Sequence, residues 1–193
     1  VIQSGKSIGT SSEKNLLPLI GEAVLTLRTL EAVYHTQSRN STNKRKIDPY
    51  YLMPRKDRLY VIGHDHKSNE IRTFRLSRFQ TVKILNERFI KDDLNLEKYF
   101  QDTWSIIRGA KRICFKVKFS NEVARFVKEE EFNVIPKLTD LPDGSLLFEV
   151  TVNDDQEFIK WIMQYGPNAE IIEPENYRKK IKEILHKWIK RYQ

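Results

Sequence analysis

Ile47-Asp-Pro-Tyr-Tyr-Leu52, Arg58-Leu-Tyr-Val-Ile-Gly63 and Glu70-Ile-Arg-Thr-Phe-Arg-Leu-Ser-Arg-Phe79 follow one another in a single stretch of the chain. Each run is rich in β-branched and aromatic residues, and polar or turn-forming residues separate them, which is the pattern of short strands. His66-Lys-Ser-Asn69 closes a hairpin between the last two. The third run carries Arg72, Arg75 and Arg78 at three-residue spacing. Side chains alternate along a strand. A continuous strand therefore puts Arg72 and Arg78 on one face with Phe74 and Leu76, and Arg75 on the other. A charge beside a core must be paired or sit at a mouth. Two roles stay open for Arg72 and Arg78: an ion pair with Asp48 or Asp65, or a fork that binds phosphate or carboxylate bidentately. For Arg75 a solvated strand face serves equally well. Nothing in the stretch looks like a nucleophile or a catalytic pair.

Upstream, residues 15–27 place Leu16, Leu19, Ile20, Ala23, Val24 and Leu27 at helical intervals, with Asn15 as a cap and Pro18 in the first turn. From Thr29 the period changes to two, with Leu30, Ala32 and Tyr34 alternating against Glu31, Val33 and His35. Residues 37–44 read as a polar turn. A strand at 46–53 contains Pro49 and should be an edge or bulged strand. Strands at 58–65, 70–76 and 80–85 follow, with a short turn at Ser77. One helix and five short strands suggest a small SH3-like or Sm-like barrel. Residues 1–14 are rich in Gly, Ser and Thr and read as a linker arm. A chain that opens on Val1 reads as a piece of something longer, with a domain upstream.

Downstream, residues 92–111 form a connector, helical at 93–104 with Leu94, Tyr99 and Trp104 as contacts. The rest reads strand 112–119, helix 121–128, strands 131–138 and 145–152 joined at Asp143-Gly144, helix 154–163, strand 169–172 and helix 174–192. The order βαββαβ is that of a ferredoxin-like α+β sandwich with one added helix. On that helix Tyr177, Ile181, Ile184, Leu185, Trp188 and Tyr192 make one stripe. The organisation is thus mainly β plus α+β: an arm (1–14), a barrel domain (15–91), a connector (92–111) and a ferredoxin-like domain (112–193).

The chain has 193 residues and a formal net charge of +8. Residues 44–78 hold ten basic and four acidic residues, and residues 174–193 hold seven and two. The remainder is net acidic, so positive charge is concentrated on the barrel strands and the last helix. Concentration points to an anionic partner better than the total does. The runs Lys44-Arg-Lys46 and Arg55-Lys56 read as solvated loop charge. The single cysteine, Cys114, sits in an alternating apolar run and reads as a buried thiol, consistent with an intracellular, cytoplasmic protein. No stretch approaches the ~20 apolar residues of a membrane helix. Enzyme signatures are missing: no Gly-rich phosphate loop, no Cys/His pair with an orienting group, no Gly-x-Ser-x-Gly elbow. Asp92-Asp93 and Asp154-Asp155 read as acids at helix starts. No cofactor is expected.

Tyr60 shares its strand face with Ile62 and His64. It serves either as a core tyrosine or as a wall on which a base stacks. Tyr34 has the same two readings. His64 and His66 flank Asp65, but no further ligand lies at useful sequence spacing, so a metal site is not expected there.

Tyr34, the Ile47–Leu52 strand, Leu59-Tyr-Val61 followed by Gly63, and Arg72-Thr-Phe-Arg-Leu-Ser-Arg-Phe79 together resemble the WYL domain of bacterial transcriptional regulators. Family members tend to read Asp-Pro-Tyr-x-Leu, Trp-Tyr-Leu-x-Gly and Arg-x-Phe-x-Leu-x-Arg-Ile at these places. Here the name-giving tripeptide is Leu59-Tyr60-Val61, so only the tyrosine is kept. The part after Lys111 resembles the WCX extension that usually follows a WYL domain, by element order more than by motif. The resemblance implies the effector-sensing and dimerisation portion of a DNA-binding regulator, with an anionic ligand (a nucleotide or single-stranded nucleic acid) on the barrel. Arg72 and Arg78 would clamp phosphate with help from Arg75, and Tyr34, Tyr60 and His64 would orient the base or sugar. It also implies a homodimer that reaches operator DNA only through a winged helix-turn-helix, for which no helical pair precedes Asn15. The alternatives are a stand-alone RNA- or single-strand-binding module, or a protein-interaction domain without a ligand.

Overall fold

The computed structural model describes residues 11–55, 58–107, 109 and 111–193, and the chain divides between Leu94 and Asn95 into two units. In the first unit helix α1 (Ser11–Thr26) precedes five strands: β1 (Arg28–Thr36), β2 (Ser41–Arg55), β3 (Arg58–Asp65), β4 (Glu70–Arg75) and β5 (Phe79–Arg88). They pair antiparallel in the order β4-β3-β2-β1-β5. β4 and β5 are thus the two edges of the sheet, yet only the 3-10 turn Leu76–Arg78 joins them. A sheet whose edges are tied by so short a link must curl strongly.

Alternation sorts the two faces. Leu30, Ala32, Tyr34, Ile47, Val61 and Phe74 turn toward α1 and pack with its Ile20 and Ala23, together with Leu76 and Phe79. Each large side chain buried this way contributes roughly 1.5–3 kcal/mol. Of the two placements expected for a strand with Pro49, edge or bulged, β2 takes the second: it is an interior strand whose register slips between Pro49 and Tyr51. Proline has no amide hydrogen to give to a ladder, and a bulge removes the demand. Gly63 pairs with Pro49, and a Cβ there would lie 2.3 Å from the Asp48 carbonyl oxygen. Only glycine admits β2 this close.

Several boundaries differ from the sequence expectation, among them the end of β5 at Arg88 in place of Leu85. Residues 11–14 belong to α1 rather than to an arm, and residues 1–10 of that arm lie outside the described residues, as does Lys56. β2 begins at Ser41, because the turn is completed by the 3-10 segment Gln37–Arg39 and by Asn40 in the left-handed region at φ 44°. β4 stops at Arg75.

The second unit contains α2 (Leu96–Tyr99), β6 (Ile113–Phe119), α3 (Asn121–Glu129), β7 (Lys137–Asp140), β8 (Leu146–Val152), α4 (Asp155–Met163), β9 (Ala169–Glu173) and α5 (Glu175–Ile189). Its sheet runs β7-β8-β6-β9, all antiparallel. Phe115, Phe119, Phe148 and Phe158 are fully buried beside Trp104 and Trp161. Alternation on β6 that buries Phe115, Val117 and Phe119 turns Cys114 outward; the thiol is exposed, not buried. The connector helix expected at 93–104 shrinks to the single turn α2, capped by the Asn95 side chain. Asp102 then takes φ 59° and the chain carries Trp104 into the core. Asp92 starts no helix and instead accepts from the Tyr50 hydroxyl at 3.2 Å, whereas Asp154 caps α4 as expected. The strand expected at 131–138 begins only at Lys137, directly after Pro136. The last helix, expected to run to residue 192, ends at Ile189; Tyr177 and Ile181 pack on the core, but Leu185 and Trp188 of the expected stripe, and Tyr192 beyond the helix, are exposed. Among the described residues no helix is long and apolar enough to cross a membrane.

Candidate functional site

Arginines gather around one buried carboxylate at the β3–β4 hairpin. Asp65 has no solvent exposure. Its carboxylate pairs with Arg45, accepts from the Ser68 hydroxyl at 3.0 Å and from the Lys67 amide at 3.3 Å, and lies 3.7 Å from Nε of Arg72. Arg45 is itself 8% exposed and donates to Thr36 Oγ1 at 3.3 Å. Its guanidinium stands 6.0 Å from the ring centroids of both Tyr34 and Phe74, within cation–π range. Arg72 is 43% exposed, and its contacts, 3.7 Å to Asp65 and 3.3 Å to Glu70, are longer than a good charged hydrogen bond.

Tyr34 is 5% exposed and stacks edge-on against Phe74 and Phe79. Its hydroxyl accepts from the Arg75 amide at 3.1 Å, and the Arg78 guanidinium is near enough to act on it electrostatically. Burial pushes the phenol above its ordinary range, and the Arg75 amide and Arg78 guanidinium act against that shift. Contacts therefore link Arg72 through Asp65, Arg45 and Tyr34 to Arg78. This sets Tyr34, Arg72 and Arg78 on the α1 side of the sheet.

Tyr60, His64 and Arg75 lie on the opposite face. Register pairs Tyr60 with Arg75 and His64 with Ile71, while Val61 and Phe74 pair on the core side. The six residues expected to form one site thus fall into two sets. Arg78 joins the first through the 3-10 turn and not through strand alternation, since the strand ends at Arg75. Buried Nε atoms of Arg45 and Arg75 have no hydrogen-bond partner among the described residues. On the far face Asp48 is 7% exposed, and its Oδ2 lies 2.8 Å from His66 Nε2 and 3.7 Å from His64 Nδ1.

Sequence reasoning named Asp65 as a partner for Arg72, and the two lie 3.7 Å apart, but it missed Arg45, the cation that Asp65 holds most closely. The charge run at 44–46 looks solvated, yet Arg45 is two residues from Ile47 and shares its inward face. Extending β2 back to Ser41 is the signal that finds it.

In the second unit a groove of about 380 Å³ lies between α4, β9 and α5, lined by Ile162, Met163, Ile171, Ile181, Leu185 and Trp188.

Comparison with known proteins adds two domain matches: a WYL domain over residues 15–84 and a WCX domain over residues 111–189. A curated relative, the uncharacterized HTH-type transcriptional regulator YobV of Bacillus subtilis (strain 168), is 25% identical over 195 residues. The match covers 95% of this chain and 58% of the relative, so the chain spans little more than half of that protein's length. A crystal structure of a CRISPR Cas-related protein shares the fold, with a TM-score of 0.58 at 13% identity, over 93% of this chain and 52% of that one. Proteasome accessory factor B/C (PafBC) of Arthrobacter aurescens aligns at a TM-score of 0.43 and 22% identity, over 91% of this chain and 27% of that one.

Proposed function

We propose that this chain, a member of the WYL-domain family with a WCX domain behind it, is the effector-sensing and assembly portion of a cytoplasmic, bacterial, DNA-binding transcriptional regulator. The observation that carries the reading is the arginine cluster on the α1 side of the first sheet. Asp65 is already committed to Arg45, which leaves the Arg72 fork exposed and loosely held. A loosely held guanidinium in the same contact network as Arg78 suits a bidentate anion such as a phosphate. The effector is then a nucleotide or a short single-stranded nucleic acid. Arg72 and Arg78 clamp phosphate, and Tyr34 fixes Arg78 from beneath. Tyr60, Arg75 and His64, on the other face, would meet the same ligand only where it wraps the sheet edge. The function is binding, without catalysis.

We read the first sheet as an SH3/Sm-like barrel, because its edges meet at the 3-10 turn. We read the second, with its β7-β8-β6-β9 order, as a ferredoxin-like sandwich. Exposed Leu185, Trp188 and Ile189 on α5, with Tyr192 just beyond its end, support its use in holding a second copy. A ligand that prefers one dimer arrangement shifts DNA affinity by that preference and no more. The buried Phe115, Phe119 and Phe148 count against an RNA-stacking platform on the second sheet.

The test is titration of a labelled single-stranded oligodeoxynucleotide at several salt concentrations, with mass measured by light scattering on the same samples. Arg72→Ala with Arg78→Ala should keep the circular dichroism of the parent, weaken binding at least tenfold, and flatten the salt slope by about 1.4 for two lost phosphate contacts. Unchanged affinity and slope remove the clamp; a monomeric mass removes the dimer.

A further inference from the structure

We propose that Asp48, His64 and His66 form a divalent metal site of the zinc class. Each offers one ligand atom, and the three atoms lie within 4.8 Å of one another. His66 Nε2 and His64 Nδ1 are 2.8 and 3.7 Å from Asp48 Oδ2. Ligand atoms around a tetrahedral zinc with bonds of about 2.0–2.1 Å stand roughly 3.3 Å apart, so small side-chain shifts seat an ion. Histidines at alternate positions look too few for a metal when only their own strand is considered. Pairing across the sheet supplies the third ligand, because Asp48 is directly opposite His64.

The groups behind the ligands are already placed. Asp48 Oδ1 accepts from Thr29 Oγ1 at 2.7 Å, which leaves Oδ2 for the site. His64 Nε2 lies 3.1 Å from Asn69 Oδ1 and donates its proton there. With the proton on Nε2, the Nδ1 lone pair is free to ligate, and it stands 3.7 Å from Asp48 Oδ2. Outer partners that fix ring orientation and tautomer in this way are the usual support of metal-bound histidine. Hydrogen bonds to Asn69 and to Asp48 orient the two rings before any ion arrives. An ion that displaces the proton between His66 and Asp48 takes its ligand atoms from rings already turned toward one carboxylate oxygen.

Two imidazoles and a carboxylate favour zinc, cobalt or nickel over magnesium or calcium, which take oxygen shells. Side-chain exposures of 26% for His64 and 38% for His66 leave the site open on one side for entry and for a water ligand. The effector reading is carried by guanidiniums on the opposite face and shares only His64 with this site, and the test here uses no effector.

The experiment titrates the full chain, stripped with chelator and desalted, with Zn(II) by calorimetry and with Co(II) by visible absorption. The expected result is one ion per chain, with His64→Ala and His66→Ala each weakening affinity at least tenfold. Asn69→Ala, a turn residue outside the ligand set, should weaken it about tenfold and keeps the test valid if a histidine variant misfolds. Two results overturn the proposal: no binding to the wild type, or binding that is equal in the histidine variants and so lies elsewhere, at His35, His186 or Cys114.

Discussion

Removing the charge of Asp65 should cost the first unit about 3 kcal/mol. Asn at this position keeps the shape and one acceptor oxygen, so the Ser68 and Lys67 contacts can persist. What is lost is the counter-ion of Arg45, whose side chain is 8% exposed and which otherwise donates only a long hydrogen bond, 3.3 Å, to Thr36 Oγ1 among the described residues. Breaking a buried pair from one side typically costs about 3–5 kcal/mol, because the surviving charge stays out of water. The neutral amide at 65 puts the expectation at the low end of that range. With a urea slope of about 1–3 kcal/mol per molar, the midpoint of the first unit falls by roughly 1–3 M. The three tryptophans, Trp104, Trp161 and Trp188, all lie in the second unit, so their fluorescence follows that unit. Far-UV circular dichroism follows both. Replacing the pair together, Arg45→Met with Asp65→Leu, should recover much of the loss, since no charge is then stranded. A loss below about 1 kcal/mol for Asp65→Asn would falsify the view that Arg45 and Asp65 are a water-excluded pair.

One substitution should have opposite signs at two glycines. Gly63→Ala pushes a Cβ against the Asp48 carbonyl, a backbone atom that cannot swing away, and should destabilise by about 2–4 kcal/mol. Gly21→Ala in α1 meets nothing nearer than Leu52 Cδ1 at 3.8 Å and should stabilise by about 0.5–1 kcal/mol; equal effects in chemical denaturation would refute both arguments. In the second unit, burial acts to raise the Asp155 carboxyl, but the Lys180 ammonium at 2.6 Å outweighs it and the net shift is downward. The unfolded chain therefore takes this proton first as pH falls. The contribution is complete above the unfolded value of about 3.9 and drains as pH falls through the folded one. Lys180→Ala should leave neutral stability within about 1 kcal/mol and flatten the acid limb of the stability curve; an unaltered limb would count against the pair.

Much of the fold was legible because alternation and helical spacing are local. The period of two from Leu30 to Tyr34 and the apolar residues of α1 mark β1 and the helix that covers it. The βαββαβ order follows from the same evidence, down to the left-handed Gly144 in the Asp143-Gly144 turn. Errors came where a non-local contact overrides the local pattern. Trp104 is drawn into a core built from Phe148, Phe158 and Trp161, and the connector unwinds to a single turn to allow it. Cys114 looks apolar within its strand, but only one face of β6 meets that core.

The site was less legible for a related reason. Cross-strand partners lie far apart in sequence: Arg45 and Asp65 are twenty residues apart, and Asp48 and His66 eighteen. Register alone brings them together, and register depends on the bulge at Pro49. In an unbroken strand Asp48 and Leu52 share a face, because their separation is even. In β2 the slip between Pro49 and Tyr51 reverses that parity. Leu52 packs on the core with Ile47, and Asp48 turns to the far side opposite His64. One residue slipped in a ladder moves every side chain beyond it to the other face. The proline therefore does more than tolerate a central position. It places the Asp48 carboxylate among the two histidines, and the same slip keeps Ile47 and Arg45 facing the core, where Arg45 meets Asp65 and Tyr34.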